Sequence, residues 1–427
     1  MSKRFIFLSV LLCLLITLTT GCWGSKEIDE AGYAIALGLD TGPGQNLIIS
    51  ALIDNPGVTS GLGGNESAFT PGQMRVFTVE APTIFSGINL INTVLENQIE
   101  LSHLKMVIFG ETLAKQDIEP YTDVLTRWRK FRRTFYIAVA QGEAKAVIES
   151  IVPPAGYNGA EFIENMFTSQ AYVGYTPENQ MLHFYNALKA KGEDPIAPLV
   201  APRISKYNLT ANQEKQLMTG TTDFNTDTGD PGNYTAGETP VSGDSSLQFM
   251  GTAIFRRGKM MDKLTGNETL ALKALRGELT RAFISVPDPD LPNKLMQLEL
   301  TQIHQPRIKV FRIKDQLRVK VHLSLLDDTV GIESNRQYET PQNISRIQQT
   351  VTKWVKSECL NVFQKAQASG CDIFGFGNYA RWLVPDWPSW QRWDWNSDFK
   401  NLKLDLSVTT RVDRTGLIIK KNAVRGD

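Results

Sequence analysis

The spacing of apolar residues switches between a two-residue and a helical period along the chain, which predicts strands and helices in turn. Residues 32–40 (GYAIALGLD) and 47–54 (LIISALID) have strand character, and Thr41-Gly42-Pro43-Gly44-Gln45 between them has turn chemistry, so a hairpin is expected. Gly, Pro, Ser and Asn dominate the loop 55–73, and strand character returns at 74–80. Pro82 opens a helix to about residue 98, with Ile84, Phe85, Ile88, Ile91, Val94 and Leu95 at helical spacing. A buried strand at 104–109 (LKMVIF), a helical stretch to about 128, a strand at 134–140 and a helix at 143–151 come next. Strands alternating with helices indicate an α/β layer.

Residues 153–202 read as mostly helical with frequent prolines. Residues 219–246 turn to Thr, Gly, Asp, Asn and Pro, with Asp223, Asp227, Asp230, Glu238 and Asp244 and no Lys or Arg. So little apolar surface does not offset the entropy of ordering, which predicts a mobile acidic loop. A strand at 248–256, a helix at 267–276 and a strand at 278–286 lead to a Pro-Asp-rich break at 287–292. Beyond it, strands at 295–303, 307–313 and 317–325 form a meander. A long helix at 342–368 carries Ile344, Ile347, Val351, Val355, Leu360, Val362, Phe363 and Ala366 as one stripe, and strands at 402–410 and 416–420 close the chain. The expected class is α+β to mixed α/β, in three consecutive domains that each hold a β-sheet flanked by helices. Their expected limits are 22–203, 204–290 (with the acidic loop) and 291–427.

The first residues change the picture from a plain globular chain. Lys3 and Arg4 precede an apolar run over 5–16, and Thr19-Thr20-Gly21-Cys22 follows. About a dozen apolar residues are too few to span a bilayer core of ~30 Å, yet they suit a signal peptide. A cysteine directly after Gly21 points to lipoprotein processing: removal of 1–21 and acylation of Cys22. Two or three acyl chains, at ~0.8 kcal/mol per buried methylene, hold a soluble body on a bilayer. The 427-residue chain has a formal net charge of +0; without Lys3 and Arg4, 43 basic residues face 45 acidic ones, a net of −2. That excludes a bulk basic field for nucleic acid. With Cys22 acylated, only Cys359 and Cys371 remain, which excludes a disulfide framework. Helical rise predicts that these two are unbonded.

Candidate chemistry is sparse. Gly375-Phe376-Gly377-Asn378-Tyr379-Ala380 fits G-x-G-x-x-A, but a helix precedes it where a dinucleotide site needs a strand, so a glycine turn is expected and no cofactor. Asp223-x-Asn225-x-Asp227 starts like a calcium loop, but Thr228 and Tyr234 stand where Gly and a bidentate Glu belong. His103, His183, His304 and His322 have no metal-ligand spacing. The cluster Arg127, Arg129, Lys130, Arg132 and Arg133, interleaved with Trp128 and Phe131, suits a helix carboxyl end, or contact with lipid headgroups or an acidic partner face. Trp382, Trp387, Trp390, Trp393 and Trp395 crowd one stretch, where they clasp an irregular segment or anchor an interface.

Several blocks together resemble the spore germination receptor C subunits, the GerC lipoproteins. They are Gly21-Cys22-Trp23 with Lys26-Glu27-Ile28, then 36–40 (ALGLD), 101–105 (LSHLK) with 107–111 (VIFGE), 132–134 (RRT) with 138–142 (AVAQG), 251–255 (GTAIF), 372–377 (DIFGFG) and Thr415-Gly416. The resemblance runs in order over nearly the whole chain after residue 21. It implies three mixed α/β domains on the outer face of the cell or inner spore membrane. It also implies a non-catalytic subunit, anchored through acylated Cys22, that joins A and B subunits in a receptor for nutrient germinants. The alternative class is a solute-binding lipoprotein of an ABC-type importer.

Overall fold

The computed structural model describes residues 31–54, 74–153, 158–202, 231–239, 247–334 and 340–414, with Phe7 and Tyr338. The expected leader 1–21 apart from Phe7, Cys22, the 223–227 string and the strand at 416–420 lie outside the described residues.

Two sheets organise the described chain. The first is built from β1 (Ala31–Thr41), β2 (Leu47–Asp54), β3 (Met74–Ala81), β4 (Gln98–Glu100), β5 (Met106–Phe109), β6 (Tyr136–Ala140), β7 (Ile196–Pro202), β8 (Leu247–Arg256) and β9 (Lys259–Leu264). Its order is β3-β2-β1-β5-β6-β7-β8-β9, with β4 beside the start of β1. β1, β5, β6 and β7 run parallel, while hairpin partners add antiparallel strands at both edges. A parallel centre is covered on both faces, and β5 and β6 are accordingly buried at every position. Val107, Phe109, Ile137 and Val139 face one layer with α1 (Ile84–Asn92), α3 (Glu119–Arg127) and α6 (Met181–Lys189). Met106, Ile108, Ala138 and Ala140 face the other, with α4 (Ala144–Glu149) and α5 (Gly159–Ser169). The strict alternation between the two cores is the two-residue strand period. The short α2 (Glu111–Ala114) follows β5.

The second sheet holds β10 (Ala282–Pro287), β11 (Leu295–Gln302), β12 (Arg307–Ile313), β13 (Gln316–Ile332) and β14 (Lys403–Arg414). β11 and β12 follow one another along one edge of β13, from Met296 opposite Ile332 to Ile313 opposite Gln316, and β14 runs parallel along the other edge. One face packs on α8 (Pro341–Ser369) through Ile347, Val351, Val355, Cys359, Val362, Phe363 and Ala366. The Thr340 hydroxyl caps α8, Pro341 fills its first turn, and Gly370 ends it at φ 68°. Three short helices, α9 (Phe376–Ala380), α10 (Trp387–Arg392) and α11 (Trp395–Phe399), lead to β14.

The mixed α/β class stands, but the described strands form two sheets where three were expected. β8 and β9, expected in a separate middle unit, extend the first sheet because β8 pairs with β7 across the intervening chain. α7 (Gly266–Arg276) then packs on both β8 and α8, so the two cores meet around it. Of the span 219–246 expected as a mobile loop, residues 219–230 and 240–246 lie outside the described residues. Within it, residues 231–239 are packed: the Ala236 amide donates to the Met250 carbonyl at 2.9 Å, the Gly266 amide to Tyr234 at 3.1 Å, and Ala236 is buried. Polar composition missed them because hydrogen bonds, with little apolar area, hold this strip in place.

Candidate functional site

Open α/β sheets place ligands at the carboxyl ends of their parallel strands. Here Asp40 stands next to the end of β1, and Gly110 and Gln141-Gly142 directly follow β5 and β6, so the segments 36–40, 107–111 and 138–142 converge. The site is already filled by the chain itself. Asp40 is buried and its two oxygens accept from the Ala144 and Lys145 amides, at 2.7 and 2.8 Å, capping α4 from a neighbouring strand. Burial pushes the Asp40 carboxyl up, and those two amides pull against it. A β-carbon at Gly110 would lie 1.9 Å from Asp40 Oδ1, so glycine is required there. The helix amino terminus that would receive an anion holds an internal carboxylate.

Beside it, Lys263 bridges Glu111 at 2.8 Å and Gln141 Oε1 at 2.6 Å. Gln141 Nε2 reaches across to the Ala236 carbonyl at 2.9 Å, which ties the 231–239 strip to the strand ends. Burial opposes ionisation of Glu111, but hydrogen bonds from Lys115 and Lys263 outweigh it and hold its carboxyl below the usual range.

At the amino ends of β5 and β6, the segments 101–105 and 132–136 meet in a polar cleft of about 120 Å³ lined by Ser102, His103, Lys105, Arg132, Tyr136 and Glu164, among others. That is below the roughly 300 Å³ at which small-molecule pockets begin. Lys105 is paired with Glu164 at 2.7 Å, and His103 stands edge-on to Tyr33 at 4.6 Å. Ser102 Oγ lies 3.3 Å from His103 Nδ1, and among the described residues no hydrogen bond orients the ring from its other nitrogen, as the base of a nucleophile–base pair requires. Among the described residues, no three His, Cys, Asp or Glu side chains group to hold a metal ion.

The basic cluster divides by environment. Phe131 is buried and Trp128 half-buried against Phe85, while Lys130 pairs with Glu100 at 3.1 Å and lies over the Trp128 ring. Arg127 stands in the last turn of α3, and Arg127, Arg129, Arg132 and Arg133 are exposed. The tryptophan run divides too. Trp390, Trp393 and Trp395 form an edge-to-face ladder at 5.6 and 5.8 Å, with Trp390 and Trp395 buried. Trp382 is 79% exposed and Trp387 55%, and the Arg381 guanidinium lies over both rings.

The ladder leads to two buried acids that spacing alone did not single out. Asp372 accepts from the amides of Phe374, Phe376 and Gly377 and from Trp395 Nε1, the last at 2.8 Å. Gly375, at φ 72°, makes the turn that opens α9, so the G-x-G-x-x-A string is a short helix whose first amides the Asp372 carboxylate receives. The Asp372 amide in turn donates to Asp194 Oδ2 at 2.8 Å, joining the approach to β7 to the second unit. Burial, before any neighbouring charge, pushes Asp372 up to about 7 and Asp194 to about 6. Both Asp372 oxygens are held by groups of the chain, and a β-carbon at Gly377 would run into Gly192 and Trp395. No described helix is long and apolar enough to cross a membrane.

Two family models match in sequence. Residues 24–202 match the spore germination protein N-terminal domain, and residues 250–416 match the spore germination B3/GerAC-like C-terminal domain. The putative spore germination protein YfkR of Bacillus subtilis is 23% identical over 424 residues, covering 98% of this chain and 99% of the relative. Spore germination protein KC of Bacillus subtilis is also 23% identical, over 97% of both chains. Spore germination protein GerQC of Bacillus cereus is 17% identical over 97% of this chain and 99% of its own. The crystal structure of the GerBC protein aligns over 88% of this chain and 96% of its own, with 14% identity and a TM-score of 0.49.

Proposed function

The chain belongs to the GerAC family of spore germination proteins, and from that premise we propose that it is the lipid-anchored, non-catalytic C subunit of a nutrient germinant receptor. The observation that carries this is the match of both family domains in order, from residue 24 to residue 416. The filled strand ends support a scaffold: Asp40 occupies the place where a ligand or reacting group would sit. Cys22, behind an apolar run and Gly21, is the proposed acylation site, with residues 1–21 removed. Acyl chains then hold the body on the outer face of the cell or inner spore membrane. The A and B subunits are the proposed partners. The exposed Arg127, Arg129, Arg132 and Arg133 are candidate contacts to one of them or to headgroups, whereas Lys130 is engaged with Glu100.

Fractionation and co-purification test this together. The tagged chain is expected in spore membranes after a high-salt wash, and detergent extraction should bring A and B subunits with it. Cys22→Ser should move the folded chain to the soluble fraction. Recovery of the wild-type chain alone, without A or B, would remove the receptor assignment. Salt-resistant retention of Cys22→Ser on membranes would remove the lipid anchor.

A further inference from the structure

The face of the second sheet turned away from α8 carries a concentration of charge that the fold does not need. On β13, Leu317, Val319, Val321 and Leu323 are buried, so the alternate residues Arg318, Lys320 and His322 share the opposite face. Cross-strand register puts Arg307 beside His322, Lys309 beside Lys320 and Phe311 beside Arg318 on one side, and Lys403 beside Arg318 and Asp405 beside Lys320 on the other. Five cations therefore share this end of the face with one acid, in a chain whose formal net charge is +0. Asp405 is taken up by Arg318 at 2.9 Å. Arg307, Lys309, Lys320 and Lys403 are exposed, and among the described residues none has a carboxylate within ion-pair distance.

Like charges directly opposite one another destabilise a sheet, and Lys309 with Lys320 and Arg318 with Lys403 are two such pairs. Guarding of sheet edges explains lysines on β12 and β14, which lie at edges among the described strands. It does not explain Arg318 and Lys320 on the central strand β13. Ile313, at the end of the same β12 row, is 51% exposed. A cationic face with an exposed aliphatic side chain on the same row matches the headgroup region of an anionic bilayer, where lysines gain from surface potential.

We propose that the outer face of β12–β13–β14, through Arg307, Lys309, Lys320 and Lys403, docks on anionic phospholipid headgroups. The proposal rests on the membrane-bound reading above but not on acylation of Cys22. A lipid-anchored body would be held by this face in one orientation, which an acyl chain alone does not set.

The test uses residues 22–427 with Cys22→Ser, so that no acyl chain contributes, and vesicles of phosphatidylglycerol and phosphatidylcholine in equal parts. Sedimentation should show binding that falls with added salt and is absent on pure phosphatidylcholine. The triple variant R307E/K309E/K320E should weaken binding by roughly tenfold or more, given the gain per surface cation. The triple variant R307Q/K309Q/K320Q, checked by its melting temperature, separates charge loss from misfolding and should weaken binding less. A variant with Glu at Arg127, Arg129, Arg132 and Arg133, the other candidate headgroup contact, tests which surface the vesicle selects and should lose less binding than R307E/K309E/K320E does. Equal binding to both vesicle types, or loss only in that last variant, would overturn the proposal. Failure to bind vesicles, with A and B subunits lost on R307E/K309E/K320E, would assign the face to a protein and overturn it equally. Failure of the Cys22 reading would appear only in fractionation of the acylated chain.

Discussion

Asp327 sets up a measurable cost inside the second core. It lies on β13 on the buried row, opposite Leu300 of β11 and Val412 of β14, and is 0% exposed. Neither carboxyl oxygen finds a hydrogen-bond partner among the described residues. Burial, and then the charge of Asp328, pushes its carboxyl from 3.8 up to about 7. Because the folded value lies above the unfolded one, the unfolded chain gives up the proton first as pH rises. Stability therefore falls between about pH 4 and pH 7 and is level above that. A gap of about three units corresponds to a ceiling of ~4 kcal/mol, reduced by relaxation and water entry. Asp327→Asn keeps the shape and removes the charge. At pH 8 it should raise the melting temperature by roughly 5 °C or more, and the two proteins should converge towards pH 4. Asp372 and Asp194 share the sign, so a slope persists in the variant, and the difference between the two proteins isolates Asp327. Calorimetry across this pH range is the assay. An unchanged or lower melting temperature at pH 8, with parallel pH profiles, would refute the reasoning.

Gly110→Ala places a methyl against Asp40 Oδ1, which two α4 amides hold in place, and should cost about 2–3 kcal/mol. An unaltered melting temperature would show that Asp40 yields. Replacing 231–239 with a Gly/Ser linker should lower the melting temperature by several degrees, since it removes the Ala236–Met250 and Gln141–Ala236 hydrogen bonds and the Tyr234 packing; no loss would return the strip to the mobile loop that composition suggests. Cys359 and Cys371 are free and buried, and burial pushes both thiols up, so they should resist a thiol reagent until denaturant is added. Fast labelling of the native chain would show an opening that the packing of α8 forbids.

Most strands and the long helix were legible because their pattern is local. The stripe Ile347, Val351, Val355, Val362, Phe363 and Ala366 is read within one segment and emerges as the buried face of α8. β9 was not, because its sequence KMMDKL alternates weakly and carries charge where it edges the first sheet. The count of sheets failed for a related reason: the pairing of β7 with β8 joins segments separated by a long span, and no spacing rule reports that. β7 itself, buried at nearly every position, has no alternation to distinguish it from a helix. The same limit governs the site. Asp40 reads as the end of a strand, and its role as the cap of α4 depends on amides over a hundred residues away in sequence. Asp372 lies inside a recognisable block, but its partners Asp194 and Trp395 come from two other segments. The turn expected of the glycines 375–377 is made by Gly375 alone, after α8, while Gly377 lies inside α9, which the local spacing did not report.

The central claim, that this chain serves a germinant receptor, is tested most directly in spores that keep this chain's receptor as their sole nutrient receptor. The gene is deleted and the fall in optical density is followed after nutrient addition and after agents that bypass receptors. The account predicts that nutrient germination is lost, that the intact gene restores it, and that the bypass agents act as in the parent. Undiminished nutrient germination in the deleted strain would contradict it.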